Sequence, residues 1–281
     1  MEIASKHYEE QPLSFPYTQL KVAYDQGRSA MWYYMNPEPR PCFTLKLLEE
    51  INSFQEQIVR LSDQFSFKYL ILTSNISGVF SLGGDLNHFN HLIISKNEEG
   101  LFKYAKSCID VMYANLVGLE CDITTISLVQ GDALGGGFES AIANNVVIAE
   151  KSANFGFPEI RFNMFPGMGS FSILSRKIGS AMAERMILSG KLYTSTELFE
   201  MGLVDILVED GQGEIAVNNY LKRMQNSNNG FSALQKAKSH SNPITYDELL
   251  KIVEVWVDAA LKLNSRDLRM MERLASRQTK I

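Results

Sequence analysis

The sequence predicts an α/β protein with a helical carboxy-terminal segment. Through about residue 205, short apolar runs of strand type alternate with stretches whose apolar residues recur every three to four positions. Beyond that point the chain turns helical. A third observation is a pair of glycine-rich loops, each just before a helix, where a fold of this class leaves backbone N–H groups exposed.

The elements follow in order. Residues 1 to about 18 are polar with scattered aromatics and read as an arm. Leu20–Tyr24 and Ala30–Met35 are rich in β-formers and flank Asp25-Gln26-Gly27-Arg28, which predicts a hairpin. Pro37, Pro39 and Pro41 force an extended loop. Leu45, Leu48, Ile51, Phe54, Ile58 and Leu61 form a helical stripe over residues 44 to 61. Tyr69–Thr73 reads as a buried strand, 74 to 84 as a loop, and Asp85 as the cap of the next helix. A helix is expected over about 97 to 118, strands at 126–129 and 146–149, and helices near 167–178, 180–189, 195–201, 213–226 and 245–278. The strand pattern ends near 205–210, where a subdomain boundary is expected.

Composition limits the function. With 281 residues, 45% hydrophobic and 21% charged, the chain has ample material for a core. Its net charge of -5 argues against a general nucleic-acid binder, which needs a strong basic field, so any basic patch must be local. The first ten residues lack the cationic start and apolar run of a signal peptide, and no stretch is long and apolar enough to span a bilayer. Cys42, Cys108 and Cys121 are odd in number and without CxxC spacing. A cytoplasmic protein is expected.

The chemistry centres on two glutamates in apolar or backbone-exposing settings, Glu139 in Gly135-Gly136-Gly137-Phe138-Glu139 and Glu159 in Phe155-Gly156-Phe157-Pro158-Glu159. A carboxylate short of water favours its neutral form and becomes useful for proton transfer near neutral pH. The run Gly135–Gly137 lies between a strand and a helix, a place for negative charge, yet it lacks GxGxxG, and no GxxxxGK[ST] occurs. With Phe80-Ser81-Leu82-Gly83-Gly84-Asp85 it forms a pair of loops that could each aim one N–H at a single carbonyl oxygen and hold a thioester enolate.

These two loops, with Gly131-Asp132-Ala133-Leu134, Phe155–Ile160, Pro166-Gly167-Met168-Gly169, Ala183–Lys191, Glu197 and Met201-Gly202-Leu203-Val204-Asp205, strongly resemble the crotonase, or enoyl-CoA hydratase/isomerase, superfamily over residues 20 to 210. The resemblance implies a spiral of ββα units. After the arm read at 1–18, it implies a catalytic domain at 19–208 and a helical segment at 209–281 serving oligomerisation and covering the pocket. It makes Gly136 and Gly84 the oxyanion-hole donors, with Gly83 or Leu82 shaping the loop, and Glu139 and Glu159 the acid/base pair. Glu159 is read as the base for the α-proton and Glu139 as the acid for the leaving hydroxyl, an assignment the sequence leaves open. No cofactor or metal is implied. A trimer or dimer of trimers is.

The chain departs from the commonest hydratase pattern in its arm, in Gly83-Gly84 where Gly-Ala is usual, in Phe138, and in Pro166–Ser170. It is most similar to the diffusible-signal-factor synthase group. That similarity implies dehydration of a medium-chain 3-hydroxyacyl thioester, on acyl carrier protein or CoA, to a cis-2-enoyl chain, then hydrolysis to a free fatty-acid quorum-sensing signal. The same oxyanion hole could serve both steps. The alternatives are an enoyl-CoA hydratase/isomerase of fatty-acid degradation and, from another class, an inert scaffold binding acyl thioesters or a regulatory protein.

Leu82, Met168 and Trp256, with Met164, Phe165, Phe171, Ile173, Leu174, Val253 and Val257, are candidates for an acyl slot or for plain core. Lys262, Arg266, Arg269, Arg273 and Arg277 share one helical face, either a solvated stripe or a dock for an acidic carrier or phosphates. His88 and His91 lack a third metal ligand, and His7 and His240 are isolated in polar surroundings. Ser170 forms no GxSxG elbow, and Cys121 reads as a buried thiol.

Overall fold

The computed structural model describes residues 16–225 and 228–278. Most of the expected arm, with His7, lies outside the described residues. Its end is anchored, because the N–H groups of Thr18 and Gln19 donate to the buried Glu50 carboxylate at 2.7 to 3.1 Å.

The hairpin forms as expected, β1 (Leu20–Asp25) antiparallel to β2 (Ala30–Met35). Helix α1 (Leu45–Leu61) is capped by Thr44, whose side chain accepts the Leu47 N–H, and it buries Leu48, Ile51, Phe54 and Ile58. Each such side chain contributes about 1.5–3 kcal/mol by leaving water.

From there the chain winds in repeated strand, strand, helix turns. The first has β3 (Tyr69–Ser74), β4 (Val79–Ser81), then α2 (Leu86–Ile94) and α3 (Glu98–Leu116). The second has β5 (Thr124–Val129), β6 (Asp132–Leu134) and α4 (Gly136–Ile142). The third has β7 (Val146–Glu150), β8 (Asn154–Gly156), a 3-10 turn (Pro158–Phe162), α5 (Ser170–Ile178) and α6 (Ser180–Ser189).

The first strand of each turn joins the larger sheet, ordered β1-β2-β3-β5-β7-β10 and parallel from β2 onward. The second joins a smaller sheet, β4-β6-β8-β9. This is the expected ββα spiral. Strand β9 (Leu192–Thr194) and helix α7 (Ser195–Glu200) lead to β10 (Ile206–Val208), which completes the larger sheet within the window read as a boundary.

Helix α8 (Gly213–Gln225) packs on β5, β7 and β10, followed by α9 (Asn228–Ser241), α10 (Tyr246–Ala260) and α11 (Ser265–Gln278). Three expectations need correction. The loop read over 74–84 contains β4, too short to show a period. Helix α9 was missed; its few apolar residues define no stripe. The single helix read over 245–278 is two. The chain breaks at 261–264, where the Asn264 side chain accepts the Arg266 and Asp267 N–H groups and caps α11. Lys262 therefore lies in the turn, off the helical face carrying the arginines.

Candidate active site

Strands β4, β6 and β8 are parallel neighbours, and the segment following each carries one part of the candidate site. Gly83-Gly84 follows β4, Gly135-Gly136 follows β6, and Glu159 follows β8. Equivalent positions in three successive turns thus meet at the carboxyl edge of the smaller sheet.

The two glycine loops touch backbone to backbone. A Cβ on Gly83, at φ +85°, would lie 2.8 Å from the Leu134 carbonyl and 3.0 Å from Gly136 N. On Gly136 it would lie 3.7 Å from Gly84 N, and on Gly137 2.2 Å from the Ser81 carbonyl. At Gly83 and Gly137 such proximity requires glycine.

Backbone polar groups in a buried loop all need partners. Leu82 N–H donates to the Pro41 carbonyl, Gly83 N–H to Ser81 Oγ, and Asp85 N–H to the Tyr104 hydroxyl. The Leu82 and Gly84 carbonyls accept from Gln278 Nε2, and the Gly83 carbonyl from Phe43 N–H. Gly84 N–H is left over. So is Gly136 N–H, at the first position of α4, and neither donates to a group among the described residues. A peptide plane sets N–H opposite C=O, so pinning Gly83 O to Phe43 fixes the direction of the Gly84 N–H.

Glu139 is buried on α4. Its Oε1 accepts the N–H groups of Met168 (2.8 Å) and Ser170 (3.0 Å) from the loop preceding α5. Burial pushes its carboxyl up to about 7, and those two N–H groups hold it back from rising further. Part of the Glu159 residue is exposed, yet its Oε2 is shielded from water with no hydrogen-bond partner among the described residues. Burial first, then the nearby Glu139 charge, lifts its carboxyl to about 8. A Cβ on Gly135, at φ +53°, would stand 2.3 Å from Glu159 Oε1, so this glycine makes room for the carboxylate beside Gly136.

Around the pair, Met168 Sδ lies 2.8 Å from where a Gly136 Cβ would be, and the Trp256 ring packs on Gly167 and meets Phe89 at 4.4 Å between centroids. Leu82 is half-buried, and Met164, Ile173, Leu174, Val253 and Val257 are buried. Phe171 is 45% exposed on the outer side of α5, so it belongs to no slot here. A cavity of about 1020 Å³ is lined elsewhere, by Asn144, Arg176 and Lys236 among others; it is bordered by Ile173 but by neither glutamate and none of the loop glycines 83, 84, 135 and 136.

Two contributions were invisible in the sequence. Tyr104, on the α3 stripe, looks like core, yet its hydroxyl accepts the Asp85 N–H at 2.9 Å and donates to the Phe43 carbonyl at 2.6 Å. Tyr104→Phe is expected to orphan two buried backbone groups and to destabilise the fold by about 1–3 kcal/mol, read from urea unfolding midpoints. An unchanged midpoint would contradict this. Gln278 had no motif to mark it. No group of three metal-ligating side chains occurs among the described residues, and His88 packs at a tilt against Tyr104; Cys121, expected to be buried, is half-buried.

A model of the enoyl-CoA hydratase/isomerase family matches residues 33–267. The chain belongs to this family. It is 32% identical over 179 residues to an enoyl-CoA isomerase/hydratase from Zymoseptoria tritici, covering 64% of this chain and 56% of that one. Over 164 residues it is 30% identical to a probable mitochondrial enoyl-CoA hydratase 2 from Arabidopsis thaliana, covering 58% and 52%. The chain thus spans about half the length of the curated relatives it matches. An enoyl-CoA hydratase structure from Bacillus halodurans shares the fold at a TM-score of 0.77, with 22% identity, 91% of this chain and all of that chain covered. No helix among the described residues is long and apolar enough to cross a membrane.

Proposed function

We propose that this family member hydrates 2-enoyl thioesters, and catalyses the reverse elimination, with Glu139 and Glu159 as its acid/base pair. The observation carrying this reading is the unequal treatment of the two carboxylates beside two free N–H groups. Glu139 is held toward its anion by two N–H donors, whereas Glu159 has no donor for Oε2 among the described residues.

Hydration needs that division. Ionised Glu139 takes a proton from water as the oxygen adds to the β-carbon. The electrons move onto the thioester oxygen, which the Gly84 and Gly136 N–H groups stabilise. Protonated Glu159 then delivers its proton to the α-carbon. Run backwards, Glu159 is the base and Glu139 the acid, the assignment expected for elimination. The resting charge state favours the hydration direction.

A pH profile tests the division. With Glu139 near 7 and Glu159 near 8, kcat/KM for hydration is expected to rise with pH through about 7 and fall through about 8. The two limbs belong to the coupled pair and not to single residues. A flat profile across that range would remove the pair from the mechanism.

A second reading places the acyl chain on an acidic carrier protein, as in the signal synthases, with elimination to a cis-2-enoyl chain followed by release of the acid. It is favoured by Arg266, Arg269, Arg273 and Arg277, exposed along α11 with no ion pair among the described residues, in a protein of net charge -5. Mass spectrometry of products from 2-enoyl-CoA and from carrier-bound 3-hydroxyacyl chains separates the readings. Reversible hydration on CoA supports the first, and free enoic acid formed only from the carrier supports the second.

An inert scaffold would have no use for two buried, mutually repelling carboxyls. In either enzymatic reading Leu82, Met168 and Trp256 border the acyl chain, and the carboxy-terminal helices cover the site. The exposed apolar side chains Phe171, Met182, Leu188, Leu192 and Phe199 support self-association, as a trimer or hexamer.

A further inference from the structure

We infer that Gln278 is a positioning residue for the oxyanion hole: from the end of α11, its side-chain amide clamps the two carbonyls flanking the Gly83–Gly84 peptide and keeps the Gly84 N–H fixed beside Gly136. One Nε2 donates to Leu82 O at 3.0 Å and to Gly84 O at 3.1 Å across nearly 200 residues of sequence. The side chain is 4% exposed.

The clamp answers a weakness in the loop. Gly83 and Gly84 have no Cβ to restrict them, so the peptide between them can rotate at low cost, and rotation would turn the Gly84 N–H away from its partner donor. Phe43 holds the Gly83 carbonyl at 2.8 Å, and Gln278 holds the carbonyls on either side. Three consecutive carbonyls are then fixed by two elements from outside the loop.

Gln278 Oε1 is buried with no partner among the described residues, a cost that an apolar side chain of similar shape would avoid. That cost is tolerated where the Nε2 end has a task. The same helix also packs on the 3-10 turn bearing Glu159, with Asn163 Nδ2 near Asp267 Oδ2 at 3.4 Å. Helix α11 therefore braces both the oxyanion loop and the turn that carries the second carboxylate.

The catalytic part of this inference rests on the proposed enoyl-thioester chemistry, and the clamp itself does not. Gln278→Met keeps the length and helix propensity and removes the donor, and Gln278→Glu sets an acceptor against two carbonyls. In both, amide hydrogen exchange of a peptide spanning residues 80–86 is expected to accelerate at least about tenfold, with or without substrate.

With an enoyl-CoA substrate, kcat should fall about tenfold in Gln278→Met and further in Gln278→Glu, at nearly constant KM. The carbonyl stretch of a bound, isotope-labelled thioester should move back toward its value in water. Helix packing alone would shift stability and leave kcat and that frequency of the folded enzyme unchanged. Unchanged loop exchange in both variants overturns the clamp even if no thioester is turned over. Faster exchange with kcat and carbonyl frequency unchanged overturns the positioning role. A wild-type chain inactive on thioesters, with exchange accelerated in the variants, would instead overturn the proposed chemistry and leave the clamp standing.

Discussion

Glu139→Gln is expected to lower kcat for hydration by about 10²–10⁴-fold, the range of a lost general base, with the fold intact. The amide is the same size but cannot take a proton from water. It also presents an uncharged acceptor or an NH2 group to the Met168 and Ser170 N–H donors, which now hold a carboxylate oxygen at 2.8 and 3.0 Å. Glu159→Gln should lose a comparable factor for a different reason, and the two variants can be separated. In deuterated water, a saturated acyl thioester should exchange its α-protons in Glu139→Gln, because Glu159 and both N–H donors remain. In Glu159→Gln that exchange should vanish. Equal exchange in the two variants would contradict the assignment of Glu159 to the α-carbon.

Gly137→Ala is expected to cost at least about 10²-fold in kcat although no catalytic atom is altered. The added Cβ would stand 2.2 Å from the Ser81 carbonyl oxygen and 2.9 Å from its carbon, with backbone on both sides and no flexible side chain to give way. The loops 81–84 and 135–137 must part by roughly an ångström. Separating the Gly84 and Gly136 N–H groups weakens an oxyanion contact whose loss typically costs about 3–4 kcal/mol. Overpacking of this kind should also lower stability by about 1–3 kcal/mol, read as a shifted Tm. A variant with normal kcat and a lowered Tm would mean that the loop contact is structural only.

Legibility in the sequence followed the length and periodicity of each element. Helix α1, the β1–β2 hairpin, β3, β5, β7 and the cap Asp85 were readable because stripes, turn residues and capping side chains act over a few positions. Strands β4, β6 and β8 span three residues each and show no period, though the candidate site is built on them. Helix α9 has too few apolar residues for a stripe, and the break at 261–264 turns on a single capping asparagine. Phe171 looked like a pocket residue by its neighbours in sequence and faces outward, because a helix sends adjacent residues to different sides.

By itself the sequence determined the α/β class, the glycines that let backbones approach, and the two carboxylates with the loops around them, because these depend on residue type and short spacing. Only the tertiary structure decided that the segments after β4, β6 and β8 meet at one edge, that Glu139 is held toward its anion while Glu159 is not, that Tyr104 takes the Asp85 N–H and leaves Gly84 N–H without an acceptor among the described residues, and that Gln278 holds the Leu82 and Gly84 carbonyls. The physical reason is range. Strand pairing, desolvation and hydrogen bonds between groups as far apart as Leu82 and Gln278 are set by the packing of the whole chain, and no local pattern encodes which partner each group will find.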